Sequence, residues 1–405
     1  MSDAPHYDCD FYGDDFIRDP QPHYAAMRKL GAVVYLPRLR NYAVVQYSAV
    51  REALRNVGVY RSGEGVAGDD VGCQFLRGNT LASDPPLHDQ LRRAMGEPLL
   101  PRALEQHRAW IEAAAEELID ALCVRRRFDG MLDLARYLPM TIVTKLVGLP
   151  EDGRDNMLKW AAASFDILGV QNDRGRFGME CIKEMRRWIA ERATPDTLRP
   201  GSWTARIFDL SGRGDLPAAL APLLIRDYIN PSLDTTISAT GELIYQLGQC
   251  PDQWDLIRRD QSLIHRAIEE AVRLATPIRS FTRAVASDHS LGGVELKAGS
   301  RVMLVFASAN RDESRYTDPD RFDVHRAQNA HLGFGHGIHM CVGMNLARLE
   351  MQALLAAMVP RVRRLHVGQP SITLNNTIRS YSRLPVTLEA EVPLRPRRDQ
   401  KPGRA

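Results

Sequence analysis

Phe334-Gly335-His336-Gly337-Ile338-His339-Met340-Cys341-Val342-Gly343 is the stretch on which the reading of this chain turns. Glycines at 335, 337 and 343 permit tight turns and let the backbone come close to a flat partner. A helical pattern opens directly after them, at Asn345. A thiolate at Cys341 would then lie beside a helix N-terminus, whose dipole and free N–H groups stabilise negative sulfur. Backbone N–H groups aimed at that sulfur would also tune a bound iron. Three readings fit: a glycine-rich turn with a buried cysteine, a zinc site using His336, His339 and Cys341, and a thiolate ligand to haem. Zinc asks for a fourth ligand and a structural partner motif, and none is obvious. Haem is the favoured reading of the loop.

The rest of the chain sets bounds on this. Its 405 residues are enough for a large apolar core, and hydrophobic residues make up 44%. Length alone suggests two or three domains, but no linker, repeat or low-complexity tract divides the chain. One domain over 13–392 is expected, with a polar tail at 1–12 and a disordered basic tail at 393–405. The net charge of +3 is too small to argue for nucleic acid or a membrane surface. Met1–Asp15 lacks the apolar core of a signal peptide, and no run of 18 apolar residues occurs. A cytoplasmic protein that does not span a membrane is expected. The six cysteines form no CxxC pair, which argues against a disulfide framework.

Periodicity predicts a mainly helical chain with minor sheets. Val33–Leu36 and Tyr42–Val45 read as a hairpin, and Tyr60–Thr80 as a long glycine-rich loop. From Pro85 to Trp203 apolar residues recur at spacings of three and four, as in Ile111, Ala114, Ala115, Leu118 and Leu122. Pro217–Gln249 reads as one long helix, Ile264–Leu274 as another and Ala347–Met358 as a third. Short strands are predicted over Val294–Val305 and near Leu365, Ile372 and Val386.

The 334–343 stretch resembles the haem-binding loop of the cytochrome P450 family, nearest in look to the bacterial branch acting on small aromatic compounds. The resemblance implies a single-domain fold with haem between the long central helix and the Cys-loop helix. It implies that Cys341 is the axial thiolate and metal ligand, that Phe334 packs against it, and that Gly335 and Gly343 shape the loop. His339 falls where the family places a basic residue on a haem propionate. Glu270-Ala271-Val272-Arg273 puts two charges on one helix face; alone that is an ordinary ion pair. In the family it joins a downstream Arg in a buried triad, and Asp318-Pro319-Asp320-Arg321-Phe322 resembles the segment supplying it, with Arg321 as the match. His88 and Arg92, in Asp84–Arg93, and Arg283, in Phe281-Thr282-Arg283, match propionate contacts, a role that suits charge-assisted donors. Haem b, dioxygen as co-substrate and NAD(P)H electrons delivered through ferredoxin reductase and ferredoxin are implied with them. No flavin or nicotinamide fingerprint appears, so the partners would be separate, docking near Arg92, Arg93 and Arg348.

The family carries Ala-Gly-x-Asp/Glu-Thr on its central helix, where this chain reads Asn230-Pro231-Ser232-Leu233-Asp234-Thr235. Asp234 and Thr235 keep the acid and alcohol expected to deliver protons for O–O cleavage. Pro231 and Ser232 replace Ala and Gly, and a proline without an N–H predicts a kink there. Glu64, Val66, Phe165, Asp227, Pro231, Ser232, Ile278 and Tyr381 are candidate pocket residues. Glu64, Asp69, Asp70 and Asp227 suggest an acidic pocket that disfavours a carboxylate and favours an amine, amide or N-heterocycle; only Arg226 suits an anion. The expected reaction is insertion of one oxygen atom into a small aromatic or nitrogen-containing substrate. Oxidative C–C or C–N coupling in specialised metabolism is the alternative within enzymes, and a non-catalytic haem-binding sensor the alternative outside them.

Overall fold

The computed structural model describes residues 4–327 and 329–391. The expected disordered tail at 393–405 lies outside the described residues.

Helices dominate because most apolar positions recur at three and four. In the helix Pro101–Arg125, Ile111, Ala115, Leu118, Ile119 and Leu122 are all buried, and proline occupies the first turn, where no N–H is needed. The paired helices Arg154–Ile167 and Asp173–Arg192 follow one another, the second capped by Asn172, whose side chain accepts from Gly175 N at 3.0 Å. Ile264–Ala275 is deeply placed, with ten of its residues buried. Met344–Met358 packs against both it and Pro101–Arg125.

The expected hairpin forms as Val33–Leu36 and Asn41–Val44, in register Val33 to Val44. It belongs to a five-stranded sheet in the order Val33–Leu36, Asn41–Val44, Arg301–Leu304, Phe281–Val285, Tyr60–Arg61. Only the pairing of Asn41–Val44 with Arg301–Leu304 is parallel. A three-stranded sheet joins Arg127–Asp129, Pro385–Ala390 and Val362–Val367 on the far side of the helical core. The large sheet thus carries Arg283 on a central strand and turns it toward the Cys341 loop.

Three expectations are corrected. Pro217–Gln249 is not one helix: Ala221–Ile229 stops and Asp234–Gln249 restarts after a break at 230–233. The predicted kink at Pro231 is therefore a full interruption. Tyr60–Thr80 is not all loop, since Asp70–Leu76 is helical and capped by Asp69, which accepts from Gly72 N. The described part of the 1–12 tail is packed into the domain. Phe11 is fully buried, Tyr12 nearly so, and His6 bridges to Tyr35 of the hairpin.

One buried group stands apart from any network. Glu350, on Met344–Met358, is 2% exposed, and its Oε2 has no hydrogen-bond partner. Burial pushes its carboxyl well above the usual range, because a buried carboxylate has lost its hydration. A raised folded-state value favours the folded form below the unfolded carboxyl range, about pH 4.3, and that advantage is lost as pH rises. Glu350→Gln, whose amide cannot ionise in the unfolded chain, is expected to unfold at a higher temperature than the parent at pH 8. The difference should shrink toward pH 5. Thermal unfolding across pH 5–9 checks both the sign and the trend.

Candidate active site

The loop before Met344–Met358 is shaped by two left-handed glycines. Gly335 and Gly337 have φ of 71° and 73°. A Cβ at Gly337 would also stand 2.4 Å from Leu54 O, so a side chain there is excluded twice over. Cys341 N donates to Phe334 O at 2.8 Å, closing the loop. Cys341 is exposed. Burial pushes its thiol up, while N–H groups of Gly343 and Met344 and the guanidiniums of Arg92 and Arg348 pull it down. Of the three readings of the loop, zinc finds no support: among the described residues no cluster of three His, Cys, Asp or Glu side chains could hold a metal ion.

Next to the sulfur, four basic side chains from three elements converge. The His88 and His339 rings meet edge-on at 4.4 Å between centroids. His88 turns Nδ1 to Asp89 Oδ1 at 2.9 Å, leaving a buried Nε2 with no partner; His339 Nε2 is likewise buried and unpartnered. Arg92 donates to Met340 O. Arg283, 3% exposed, donates to Thr282 O at 2.7 Å. Burial, and the positive charges of Arg283, His88 and Arg92, push His339 down to about 2. Two guanidiniums beside two buried imidazole nitrogens that have no protein partner make a site suited to anions.

The loop is anchored from beneath. Arg273 grips Glu270 with two bonds of 2.8 Å, and neither residue is exposed at all. Arg273 also donates to Asn310 O and Pro319 O. The third member of this triad is not Arg321, as the motif match suggested. Arg321 is exposed and offers only its backbone carbonyl. Arg326 takes the place: its Nε donates to Glu270 Oε1 at 2.8 Å, and its other nitrogens tie Thr317 O, Asp318 O and Arg321 O. The turn starting at Asp318, whose φ is +46°, carries the chain five residues further before an Arg points inward.

The central helix is interrupted at 230–233. Ser232 Oγ donates to Tyr228 O at 2.6 Å, and Thr235 Oγ1 donates to Pro231 O at 2.7 Å. The two hydroxyls thus satisfy carbonyls that the interrupted helix leaves without donors. Asp234 begins the second helix, and burial pushes its carboxyl up to about 7; Arg136 pulls it down and Asp166 adds to the rise.

The candidate pocket residues divide. Val66 and Phe165 are buried, and Ile278 is half-buried and bridged to Ile378. Tyr381 is turned away, its hydroxyl donating to Glu242 Oε2 at 2.6 Å inside the core. The acidic pocket is not assembled, because its carboxylates are engaged or outside. Asp69 caps Gly72 and accepts from Gln171 N; Asp70 pairs with Arg301; Asp227 accepts from Thr80 N at 2.9 Å; Glu64 is exposed. Arg226 is different: it is 4% exposed, and its Nε and Nη2 are buried without partners.

Comparison with known proteins places this geometry. Cytochrome p450 CYP199A2 of Rhodopseudomonas palustris is 34% identical over 394 residues, covering 95% of each chain. The chain belongs to the cytochrome P450 family. The family model, Cytochrome P450, matches residues 246–381, which include the Glu270–Arg273 pair and the Cys341 loop. Cytochrome P450-terp of a Pseudomonas species is 31% identical, with 78% of this chain and 77% of that one covered. Among solved structures, CalO2 aligns with a TM-score of 0.81 at 26% identity over 94% of this chain and 98% of the other. This P450 is thus a mainly helical, single-domain oxidoreductase of the bacterial monooxygenase kind. Family membership implies haem and use of dioxygen. The residues present fit that group: a sulfur facing open space, and beside it unpartnered buried donors suited to two carboxylates. Among the described residues no helix is long and apolar enough to cross a membrane.

Proposed function

We propose that this P450 inserts one oxygen atom from dioxygen into a small aromatic substrate, using NAD(P)H electrons passed by a separate ferredoxin reductase and ferredoxin in the cytoplasm. Haem b supplies the oxygen-activating chemistry when bound. Cys341 is its ligand, and His88, Arg92, Arg283 and His339 hold its propionates. The observation that carries this is the convergence near Cys341 of Arg92 and Arg283 with His88 and His339, whose buried Nε2 atoms have no protein partner. Asp234 holds and passes the proton that oxygen activation uses, and the Thr235 hydroxyl, bonded to Pro231 O, is the adjacent alcohol on its helix.

The test is optical. The reduced protein with carbon monoxide should give the strongly red-shifted Soret band of thiolate ligation, and Cys341→Ala should abolish it. A colourless protein after haem supplementation, or an unchanged spectrum in the variant, rejects the reading.

The substrate's polar end is read from Arg226. Its unpartnered nitrogens, and the engagement of the nearby carboxylates elsewhere, favour an aromatic acid over an aromatic amine. A benzoate is expected to bind more tightly than the matching benzylamine, followed by the spin-state shift of the Soret band. Arg226→Leu should weaken the benzoate about 10- to 100-fold, the worth of a charged hydrogen bond. Tighter binding of the amine would overturn the assignment.

A further inference from the structure

Two adjacent carboxylates on the helix Ile264–Ala275 face different partners. Glu270 serves Arg273 and Arg326. Glu269 turns instead to Arg348, from Met344–Met358, in a two-point grip: Nε to Oε1 at 2.7 Å and Nη2 to Oε2 at 2.8 Å. His331 Nε2 reaches the same carboxylate at 3.2 Å. His331 Nδ1 accepts from Gly333 N at 3.0 Å, so Nε2 carries the proton given to Glu269. Burial pushes Glu269 up, but the His331 and Arg348 hydrogen bonds bring it down to about 2, so it is fully ionised.

This network borders the thiolate loop. The Arg348 guanidinium stands 4.8 Å from the Phe334 ring centroid, and the His331 ring 5.7 Å from the same ring. Phe334 O is the acceptor that pins Cys341 N. Arg348 and the Cys341 sulfur also feel each other's charge directly.

We propose that Glu269 is a positioning residue for the thiolate: it fixes Arg348 across Phe334 and cancels that cation's charge beside Cys341. This rests on the reading of Cys341 as the iron ligand. An uncompensated cation near the sulfur favours the more negative, reduced state of the site; an uncompensated anion opposes it. Glu269 therefore sets the ease of reduction without touching substrate or cofactor. A purely structural clamp would alter stability alone.

The experiment is a potentiometric titration of the holoenzyme carrying Glu269→Gln, Arg348→Gln, or both. At the potential that half-reduces the parent, Glu269→Gln should raise the reduced-to-oxidised ratio about tenfold. Arg348→Gln should lower it about as much, and the double variant should return near the parent. Single variants that leave the ratio unchanged, or that both move it the same way, overturn the proposal. Should Glu269→Gln fail to retain haem, Arg348→Gln decides alone: an unmoved ratio rejects the role. A parent lacking the thiolate band with carbon monoxide would instead sink the ligand assignment itself. A normal band with unmoved ratios sinks only the role of Glu269.

Discussion

Arg326→Leu is expected to cost about 3–5 kcal/mol, the general consequence of removing one partner from a buried ion pair, while Arg321→Leu changes stability by about 0.5 kcal/mol or less. The reason is the environment of Glu270. It is fully buried and bonded on both oxygens, to Arg273 and Arg326. Taking Arg326 away removes one of the two cations bonded to the buried Glu270 carboxylate, and with it the guanidinium that ties the carbonyls of Thr317, Asp318 and Arg321 to this site. A loss of that size is a large fraction of the 5–15 kcal/mol that holds a typical domain together. The damage should also reach the cofactor, because Arg273 ties the Glu270 helix to Asn310 O, and Asn310 Oδ1 in turn holds Leu332 N at the entry to the thiolate loop. Haem retention after gel filtration and the thermal midpoint of each variant provide the measurement. Equal losses at 321 and 326 would refute the structural assignment.

That contrast shows where sequence reading stopped. Glu270 and Arg273 were legible because residues three apart on a helix share a face whatever surrounds them. The third member was not, because it comes from irregular backbone, where spacing carries no direction. The left-handed Asp318 and the turns after it decide which of two nearby arginines points inward. The same division runs through the site. That His88 and Arg92 share a face, and that glycines shape the Cys341 loop, follow from local rules about helices and turns, whereas the role of His88 and Arg92 is what the family resemblance implies. Tyr381 was misjudged because its partner, Glu242, lies 139 positions away, on the far helix. The acidic pocket failed for a related reason. Asp69, Asp70 and Asp227 read as free charges in a loop and a helix, but a cap, an ion pair with Arg301 and a backbone N–H of Thr80 claim them. Glu269 was missed because it stands beside the better-known Glu270, and its partners, His331 and Arg348, approach from the other side.

The proline in the central helix was read correctly as a disturbance and underestimated in extent. A missing N–H costs one hydrogen bond. Here Ser232 and Thr235 turn their hydroxyls onto Tyr228 O and Pro231 O, so the break is stabilised by the residues that follow the proline. The substitution of Ala-Gly by Pro-Ser is thus a matched pair: proline opens the helix and serine satisfies part of what is opened.

Asp234→Asn should reduce turnover by about 10²–10⁴-fold, the usual worth of a positioned proton donor, with little change in substrate affinity. Burial holds Asp234 up at about 7, against the pull of Arg136. Below that value the carboxyl carries its proton; above it the proton is gone. Turnover of the parent should therefore fall as pH rises through about 7, by roughly tenfold per unit where proton delivery limits the rate. The amide cannot ionise, so the residual activity of the variant should not follow that limb. Electrons drawn from NAD(P)H without proton delivery by Asp234 are expected to leave with dioxygen as hydrogen peroxide, its two protons taken from solvent water, so NAD(P)H consumption should persist while product falls. The benzoate spin-state titration separates this from a binding defect, since it reads the pocket before any electron arrives. An Asn variant that keeps the parent's product yield, or keeps its alkaline limb, would place the proton donor elsewhere. The break at 230–233 puts Asp234 at the first turn of a new helix, where N–H groups left without intrahelical partners would stabilise the carboxylate and work against the protonated form. That burial still wins over this pull and over Arg136 is the physical condition on which proton delivery by Asp234 near neutral pH depends.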